Sequence, residues 1–133
     1  MLEVSGPRDQ APAAIERWYR REARDRLEEA VTREARRLGV GFARISVRDQ
    51  RSRWGSCSAR GTLSFNWRLV LAPPDVLEYV VVHELLHVRE PNHSRAFWAL
   101  LDRHRPGWKD QVAWLREHGH ELLDYDVAAV AGP

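Results

Sequence analysis

Apolar residues recur at helical spacing over the first third of the chain. From about Pro12 to Leu38 they fall on one stripe, and arginine and glutamate occupy most of the other positions. The members of the stripe are Ile15, Trp18, Tyr19, Ala23, Leu27, Ala30, Val31, Ala35 and Leu38. This period indicates an amphipathic helix that covers a core. Gly39 and Gly41 end the helix, because glycine enters the left-handed conformation at little steric cost.

The pattern then changes from a helical period to alternation. Apolar and polar side chains alternate from Phe42 to Asp49, which indicates a strand. A second strand is predicted from Thr62 to Val70, a segment rich in leucine, phenylalanine, tryptophan and valine. Gly55 and Gly61 punctuate the chain between them. We expect these strands to form a small antiparallel sheet.

A second helix is predicted to begin at the proline pair at 73–74, since proline can start a helix but cannot continue one from upstream. Pro91 disfavours helical backbone at Glu90, so the chain turns there. The apolar residues at helical spacing in between are Val76, Leu77, Val80, Val81, Leu85 and Val88.

Two further helices follow the turn. The first is predicted from about Ser94 to His104, and it is broken by Pro106 and Gly107. The second is predicted from Trp108 to His118. The remaining segment, 119–133, shows no clear period.

Composition and charge limit the class of protein. The 133 residues fit one domain, so we predict a single domain over 1–133, with a leader (1–11) and a tail (119–133) that are loosely ordered. Hydrophobic residues make up 44% and charged residues 30%, as in ordinary globular proteins. The formal net charge of +2 selects no class of partner.

Cysteine use and hydropathy indicate a compartment. Cys57 is the single cysteine and cannot form an internal disulfide, which favours a reducing environment. No export signal is evident, and no segment approaches eighteen consecutive apolar residues. We therefore predict a cytoplasmic protein with no membrane partner.

The candidate chemistry lies on the second predicted helix, where residues 83–87 read H-E-x-x-H. Residues four apart lie on one helix face, so His83 and His87 can bind one zinc ion together. Glu84 is offset by roughly 100° and is directed near the metal rather than at it. It is the predicted general base, which takes a proton from a metal-bound water as that water attacks a carbonyl group.

A catalytic zinc usually has three protein ligands and one open position, so a third ligand is needed. His93 is the first candidate, because it follows the turn at Pro91 and can approach His83 and His87 from the side. Histidines without a metal role are the alternative, but the helical context favours a metal site. The other candidates for the third ligand are His104, His118, His120, Asp102, Glu121, Asp124 and Asp126.

From about Val47 to Trp114 the sequence resembles the YgjP-like metallopeptidases, relatives of the SprT-like and WLM zincins. The resemblance implies one zinc ion held by His83, His87 and His93, with Glu84 as the base. It also implies a minimal zincin-like α+β fold: a long N-terminal helix, a small antiparallel sheet, the HExxH helix and two further helices. Members often carry a longer β-rich region before the first helix, where this chain has about ten residues. The matching blocks are RWGSCS (53–58), LSFNWRL (63–69), YVVVHELLH (79–87) and NHSRAFW (92–98).

The resemblance implies hydrolysis of peptide bonds in a peptide or protein substrate. Two alternatives stay open: a nucleoside triphosphate pyrophosphatase, and a DNA-associated protease of the SprT or WLM kind. Arg51, Arg53 and Arg68 are the candidate contacts for a nucleotide or DNA, since guanidinium groups bind phosphate. A solvated or ion-paired surface is the other interpretation of these arginines.

In zincins the substrate commonly lies along the edge strand of the sheet, which makes 62–70 the candidate strand. Ser64, Phe65 and Asn66 are therefore the predicted substrate-binding residues. The alternative is that this is a core strand, since Phe65 also suits packing.

Three other roles stay open at the level of sequence. Tyr79, His104, Tyr125 and several arginines are able to donate a hydrogen bond to an oxyanion, and none is preferred. Cys57 is either a latch on the zinc or a small buried hydrophobic residue. If the tail folds back, the carboxylates of the 124–126 segment would cover and block the cleft of the metal site.

Overall fold

The computed structural model describes residues 11–50 and 52–124. Helices dominate these residues, and a small sheet and a 3₁₀-helix lie between the first and second α-helices. In chain order the elements are α1 (Ala11–Leu38), β1 (Arg44–Arg48), β2 (Gly55–Cys57), β3 (Thr62–Asn66), the 3₁₀-helix (Trp67–Leu71), α2 (Pro74–Arg89), α3 (Arg95–His104) and α4 (Trp108–Leu123).

The long helix α1 follows its predicted stripe. Ala23, Leu27 and Val31 are fully buried on the face that packs against α2 and the 3₁₀-helix. The helix ends where glycine was expected to end it, and Gly39 takes a positive φ of 68°. One apolar stripe thus fixes both the length of α1 and the face that it buries.

The prediction of an antiparallel sheet is wrong for one of the two strand pairs. The strand order is β1-β3-β2. β1 pairs with β3 in parallel, with Arg44 opposite Thr62, whereas β2 pairs with β3 antiparallel. Alternation marks a strand but not its direction. Because the short strand β2 forms a hairpin with β3, β3 returns in the same direction as β1 and lies between the other two strands.

The predicted strand 62–70 is also too long, because the extended backbone ends at Asn66. Its side-chain oxygen accepts a hydrogen bond from the Arg68 backbone N–H at 3.0 Å, which caps the 3₁₀-helix. Its Nδ2 donates to the backbone carbonyls of Gln50 and Arg53. A buried asparagine therefore ties the end of β3 to the loop that precedes β2.

The boundaries of the later helices differ less from prediction. Ser94 caps α3, since its Oγ accepts from the Phe97 backbone N–H at 3.3 Å. α4 continues to Leu123, so the prediction that an irregular tail begins at residue 119 is wrong for its first residues. Gly119 lies inside this helix, at a position where a Cβ would be 3.4 Å from the Trp54 ring. The predicted leader and the rest of the predicted tail lie outside the described residues, apart from Ala11 and Asp124.

The core is formed where α1, β3, α2 and α3 meet. Its fully buried members include Leu63, Phe65, Trp67, Leu85 and Leu101. This core sets the position of α2, the helix that carries the candidate chemistry. None of the helices in the described part of the chain has the length and hydropathy needed to cross a bilayer.

Candidate metal centre

The two histidines of the H-E-x-x-H motif share one face of α2. His83 and His87 are half-buried, and their Nε2 atoms lie 3.1 Å apart. Leu85 and Leu86, which lie between the two histidines in sequence, are fully buried in the core. The apolar residues therefore fix the rotation of the helix, and the two imidazoles follow from it.

The turn after α2 brings His93 to the same point. α2 is capped at Glu90, one residue before Pro91, as predicted. The exposed His93 then places its Nε2 3.2 Å from that of His83 and 3.1 Å from that of His87. Among the described residues, these three form a group whose ligand atoms could hold one metal ion.

The spacing of the three nitrogens fits zinc. Two nitrogens bound at about 2.0–2.1 Å to one tetrahedral ion lie roughly 3.3–3.4 Å apart. The three Nε2–Nε2 distances of 3.1, 3.1 and 3.2 Å are close to this value. Three protein ligands would leave the fourth position of a tetrahedral ion for a small ligand.

A single aromatic ring supports all three imidazoles. Phe97 of α3 is fully buried. Its ring is stacked on His87 with centroids 4.4 Å apart, and it meets His83 and His93 edge to face at 5.0 and 5.1 Å. The packing of α3 against α2 thus limits how far the three rings can tilt.

Hydrogen bonds at the other ring nitrogen orient the two helical histidines. Since each Nε2 faces the other two rings, the ring proton belongs on Nδ1. Nδ1 of His83 donates to the Tyr79 hydroxyl at 3.2 Å, and Nδ1 of His87 donates to the Glu90 carbonyl at 2.9 Å. Tyr79 lies four residues before His83 on the same helix face, so helical spacing alone could have revealed this contact.

Burial keeps the imidazoles of His83 and His87 in the form that binds metals. It lowers the pKa of His83 to about 3, with smaller contributions from His87 and His93. Burial also lowers the pKa of His87, against a hydrogen bond to the Glu90 carbonyl that raises it. Neutral rings with free Nε2 lone pairs are the ligands that zinc requires.

Glu84 lies beside the histidines in an environment that disfavours its ionised form. Its side chain is buried, and burial raises the pKa of the carboxyl to about 7 although the nearby Arg53 lowers it. The backbone of β2 passes directly over it. A Cβ on Gly55 would lie 3.0 Å from Cγ of Glu84 and 3.2 Å from Cγ1 of Val80. A side chain at position 55 would therefore press on Glu84 and Val80, which would have to move by a few tenths of an ångström.

A small cavity opens next to Glu84 and His83. Its volume is about 220 Å³, and Arg53 and Tyr79 also line it. Trp54, Gly55, Val80 and Leu115 complete its walls. A larger cavity of about 660 Å³ lies between α1 and β1, but none of the predicted site residues lines it. The candidate chemistry is therefore located at the smaller cavity.

Other residues that the sequence suggested as ligands are not brought to this point. Among the described residues, the metal-binding group contains only histidines, so the half-buried Cys57 does not join it as a latch. Tyr79 contacts the far nitrogen of His83, which makes it a support for the ring rather than an oxyanion donor. The candidates that do not join the group are His104, His118, His120, Asp102, Glu121 and Asp124; Tyr125 and Asp126 lie outside the described residues.

The three arginines suggested for phosphate are not equivalent. Arg68 is only 2% exposed, its guanidinium is ion-paired with Asp49, and it packs over the Trp67 ring at 4.6 Å. Arg53 is exposed and lines the cavity next to Glu84. Arg51 lies outside the described residues. The predicted cluster for a nucleotide or DNA is therefore not assembled by the described residues.

The predicted edge strand is the central strand of the sheet. β3 is paired on one side with β1 and on the other with β2. Phe65 and Asn66 are fully buried, and Ser64 is 9% exposed. The predicted binding of a peptide by these three residues requires a free edge, which β3 does not have. Within the described part of the chain, β2 is the edge strand on the side of Glu84.

Comparison with known proteins agrees with this architecture. The family sequence model described as YgjP-like, metallopeptidase domain, matches residues 2–118. The crystal structure of the metallopeptidase zymogen abylysin from Pyrococcus abyssi is similar, with a TM-score of 0.61 and 19% identity over 68% of this chain and 93% of that chain. The zymogen jannalysin from Methanocaldococcus jannaschii gives a TM-score of 0.60 and 19% identity over 68% and 94%. No curated protein matches the sequence. The structural likeness confirms the predicted α+β fold.

Proposed function

The chain belongs to the YgjP-like metallopeptidase family, and we propose that it hydrolyses peptide bonds with one zinc ion held by His83, His87 and His93. The observation that carries this proposal is the convergence of three Nε2 atoms to within 3.1–3.2 Å of one another beside a buried glutamate. A zinc ion bound there would polarise the substrate carbonyl and lower the pKa of a water molecule to about 7.

Glu84 acts as the general base in this proposal. Its carboxylate takes a proton from the attacking water and then delivers a proton to the leaving amine. Burial raises the pKa of this carboxyl in the metal-free chain, and a cation bound beside it would lower that pKa and favour the carboxylate form that accepts the proton. Tyr79 and the Glu90 carbonyl hold the histidines by their Nδ1 atoms, which fixes the tautomer and the direction of each Nε2.

The substrate backbone is proposed to lie along β2. This strand packs against α2, and its Gly55 is in contact with Glu84. An extended peptide that adds to the outer edge of β2 would bring its carbonyl groups near the base and the histidines. Main-chain pairing of this kind gives affinity with little dependence on sequence.

The test is to compare wild-type protein with Glu84→Gln. We expect the variant to retain about one zinc per chain, because all three histidines remain, and to lose peptide cleavage by at least about 100-fold. Zinc content is measured by elemental analysis, and cleavage with casein and fluorogenic peptides. Glu29→Gln, an exposed glutamate of α1, is the matched control. Full activity of Glu84→Gln, or zinc binding that survives removal of all three histidines, would overturn the proposal.

A further inference from the structure

The cavity beside Glu84 has the dimensions of one amino-acid side chain. Its volume of about 220 Å³ is smaller than the roughly 300–1,000 Å³ of sites that hold whole small-molecule ligands. Trp54, Val80 and Leu115 give it apolar walls. A substrate peptide held near Glu84 can therefore insert a single side chain or a chain end here.

The open end of this cavity carries a positive charge. Arg53 is exposed, whereas Tyr79 and Glu84, which line the same cavity, are buried. The Arg53 guanidinium makes no hydrogen bond or ion pair with any of the described residues. The backbone carbonyl of Arg53 accepts a hydrogen bond from the Asn66 side chain. Arg68, by contrast, is almost fully buried and paired with Asp49. Arg53 is thus free to bind a group that arrives with the substrate.

The charge of Arg53 allows that group to be an anion in spite of the nearby Glu84 carboxylate. The Glu84 carboxylate lines the same space, so a second carboxylate would be repelled unless a cation is paired with it. Arg53 is the one arginine or lysine among the described residues that line the cavity, and it is near enough to act on Glu84. A guanidinium binds a carboxylate through two parallel hydrogen bonds, and apolar walls strengthen them.

We propose that Arg53 binds a carboxylate of the peptide substrate in this cavity, so that peptides with a carboxylate next to the scissile bond are cleaved in preference. This inference rests on the proposed peptidase function and specifies its substrate class. The carboxylate belongs either to an aspartate or glutamate side chain or to the free C-terminus of the peptide. Arg53 is a specificity-determining residue in both cases.

The experiment measures kcat/KM of the zinc-loaded protein on matched peptides. One series carries glutamate or glutamine at each of the four positions around the scissile bond of an otherwise neutral peptide with blocked ends. A second pair ends in a free carboxylate or a carboxamide. The series with the larger preference identifies the source of the carboxylate. A charge-assisted hydrogen bond predicts a preference of about 10- to 100-fold over the amide.

Variants then assign the preference to Arg53. Arg53→Gln should abolish the preference by slowing cleavage of the carboxylate peptides about 10- to 100-fold more than that of the amide peptides, since any effect through the nearby Glu84 is common to both kinds of peptide. Arg53→Lys should retain part of it, because lysine keeps the charge but not the paired hydrogen bonds. Arg60→Gln, an exposed arginine of the turn between β2 and β3 that does not line the cavity, is the matched control and should keep the full preference.

Two results would overturn the inference. One is a wild-type protein that cleaves carboxylate and amide peptides equally well. The other is an Arg53→Gln variant that loses the same factor on both kinds of peptide, since Arg53 would then act through Glu84 alone.

Failure of the peptidase proposal gives a different result: no peptide of either series is cleaved. Binding of the same peptides to zinc-loaded wild type and Arg53→Gln, measured by calorimetry, still decides the role of Arg53. Tighter binding of the carboxylate peptide that the substitution removes supports the inference. Equal binding of both peptides contradicts it.

Discussion

Glu84 shows how a residue with a proposed catalytic role can oppose the stability of the fold. Its folded-state pKa is raised from 4.5 to about 7 by burial. The protonated carboxyl therefore contributes stability that is fully present below pH 4.5 and is lost as the pH rises through 7. For the metal-free protein, we expect Glu84→Gln to be more stable than wild type at pH 8, by on the order of 3 kcal/mol, with the difference largely gone at pH 4.5.

Urea unfolding of both metal-free proteins across this pH range measures the difference. Glu29→Gln is the control, because its side chain is 79% exposed and its removal should leave the pH dependence of wild type unchanged. A constant offset between Glu84→Gln and wild type from pH 4.5 to 8 would contradict the prediction. The lowered pKa of His83 also affects acid stability, but it is common to both proteins and cancels in the comparison.

Gly55 leads to a second prediction, in which a larger side chain lowers peptidase activity. Its φ is not positive, so alanine is tolerated by the backbone, but the new Cβ would lie 3.0 Å from Cγ of Glu84. We expect Gly55→Ala to keep its zinc and to lower kcat for peptide cleavage roughly 10- to 100-fold, since small displacements of a base are costly. Gly41→Ala, where a Cβ would meet nothing within 4 Å, is the matched control. Unchanged kcat in Gly55→Ala would show that Glu84 tolerates displacement.

At this scale, the sequence predicts residues whose roles depend on local spacing. His83 and His87 come together because they lie four apart on a helix, and His93 because a proline forces the turn before it. The strand of Ser64 was wrongly placed at the edge of the sheet, because local spacing does not show which strands flank it. For Arg68 the ion-paired interpretation is the one that agrees with the structure, but its partner Asp49 could not be named from the sequence, because the two residues approach only through the sheet.

Among the elements, helices are easier to predict here than strands. Each helix carries a stripe long enough to show its period, and α1 was predicted almost to its limits. β2 spans only Gly55–Cys57, which is too short for alternation to be visible. Without that strand, neither the parallel pairing of β1 and β3 nor the central place of β3 can be deduced. The prediction that β3 lies at the edge of the sheet is wrong because this one strand, β2, was not recognised.

The packing of α3 and α4 supports the histidine that comes from a turn. The His93 ring is stacked on Trp98 with centroids 5.4 Å apart and planes at 21°. Trp98 is stacked in turn on Trp108 of α4 at 5.3 Å and 27°. The Trp108 indole N–H donates to Asp102 at 2.6 Å, which ties α4 back to α3. This series of rings holds the most exposed of the three histidines in place.

We therefore expect Trp98→Ala to weaken zinc binding about 10-fold or more, as the loss of a group that orients a ligand typically does. Trp98→Phe should recover most of the affinity, because it keeps a ring against His93. Competition with a chromogenic chelator measures the affinity directly. Trp18→Ala is the control, since Trp18 of α1 is 38% exposed and Trp98 is 36% exposed. Equal affinities in Trp98→Ala and Trp18→Ala would show that the stack does not position His93.

At the scale of the whole molecule, most of the hydrophobic core lies away from the candidate metal centre, and Phe97 is the core residue that contacts all three histidines. Leu27, Phe65 and Leu85 are fully buried, and none of the three histidines belongs to the core cluster. A core that is complete on its own should keep the metal-free chain folded, unlike small domains whose fold depends on the metal. The zinc should therefore add stability to an existing fold rather than create it.

This separation makes a quantitative prediction for thermal unfolding. After chelation, we expect a cooperative transition with native far-ultraviolet circular dichroism below it. Free zinc at a thousandfold excess over its Kd should stabilise the fold by about 4 kcal/mol, which raises Tm by roughly 10 °C or more for a domain of this size.

His93→Ala should lose most of the increase while leaving the metal-free Tm near that of wild type, because His93 is exposed and outside the core. His118→Ala, a histidine of α4 that does not join the metal-binding group, should keep the full increase. An unfolded metal-free chain would contradict a core that is independent of the metal. A zinc-dependent rise in Tm that is as large in His93→Ala as in wild type would contradict a site made of three histidines.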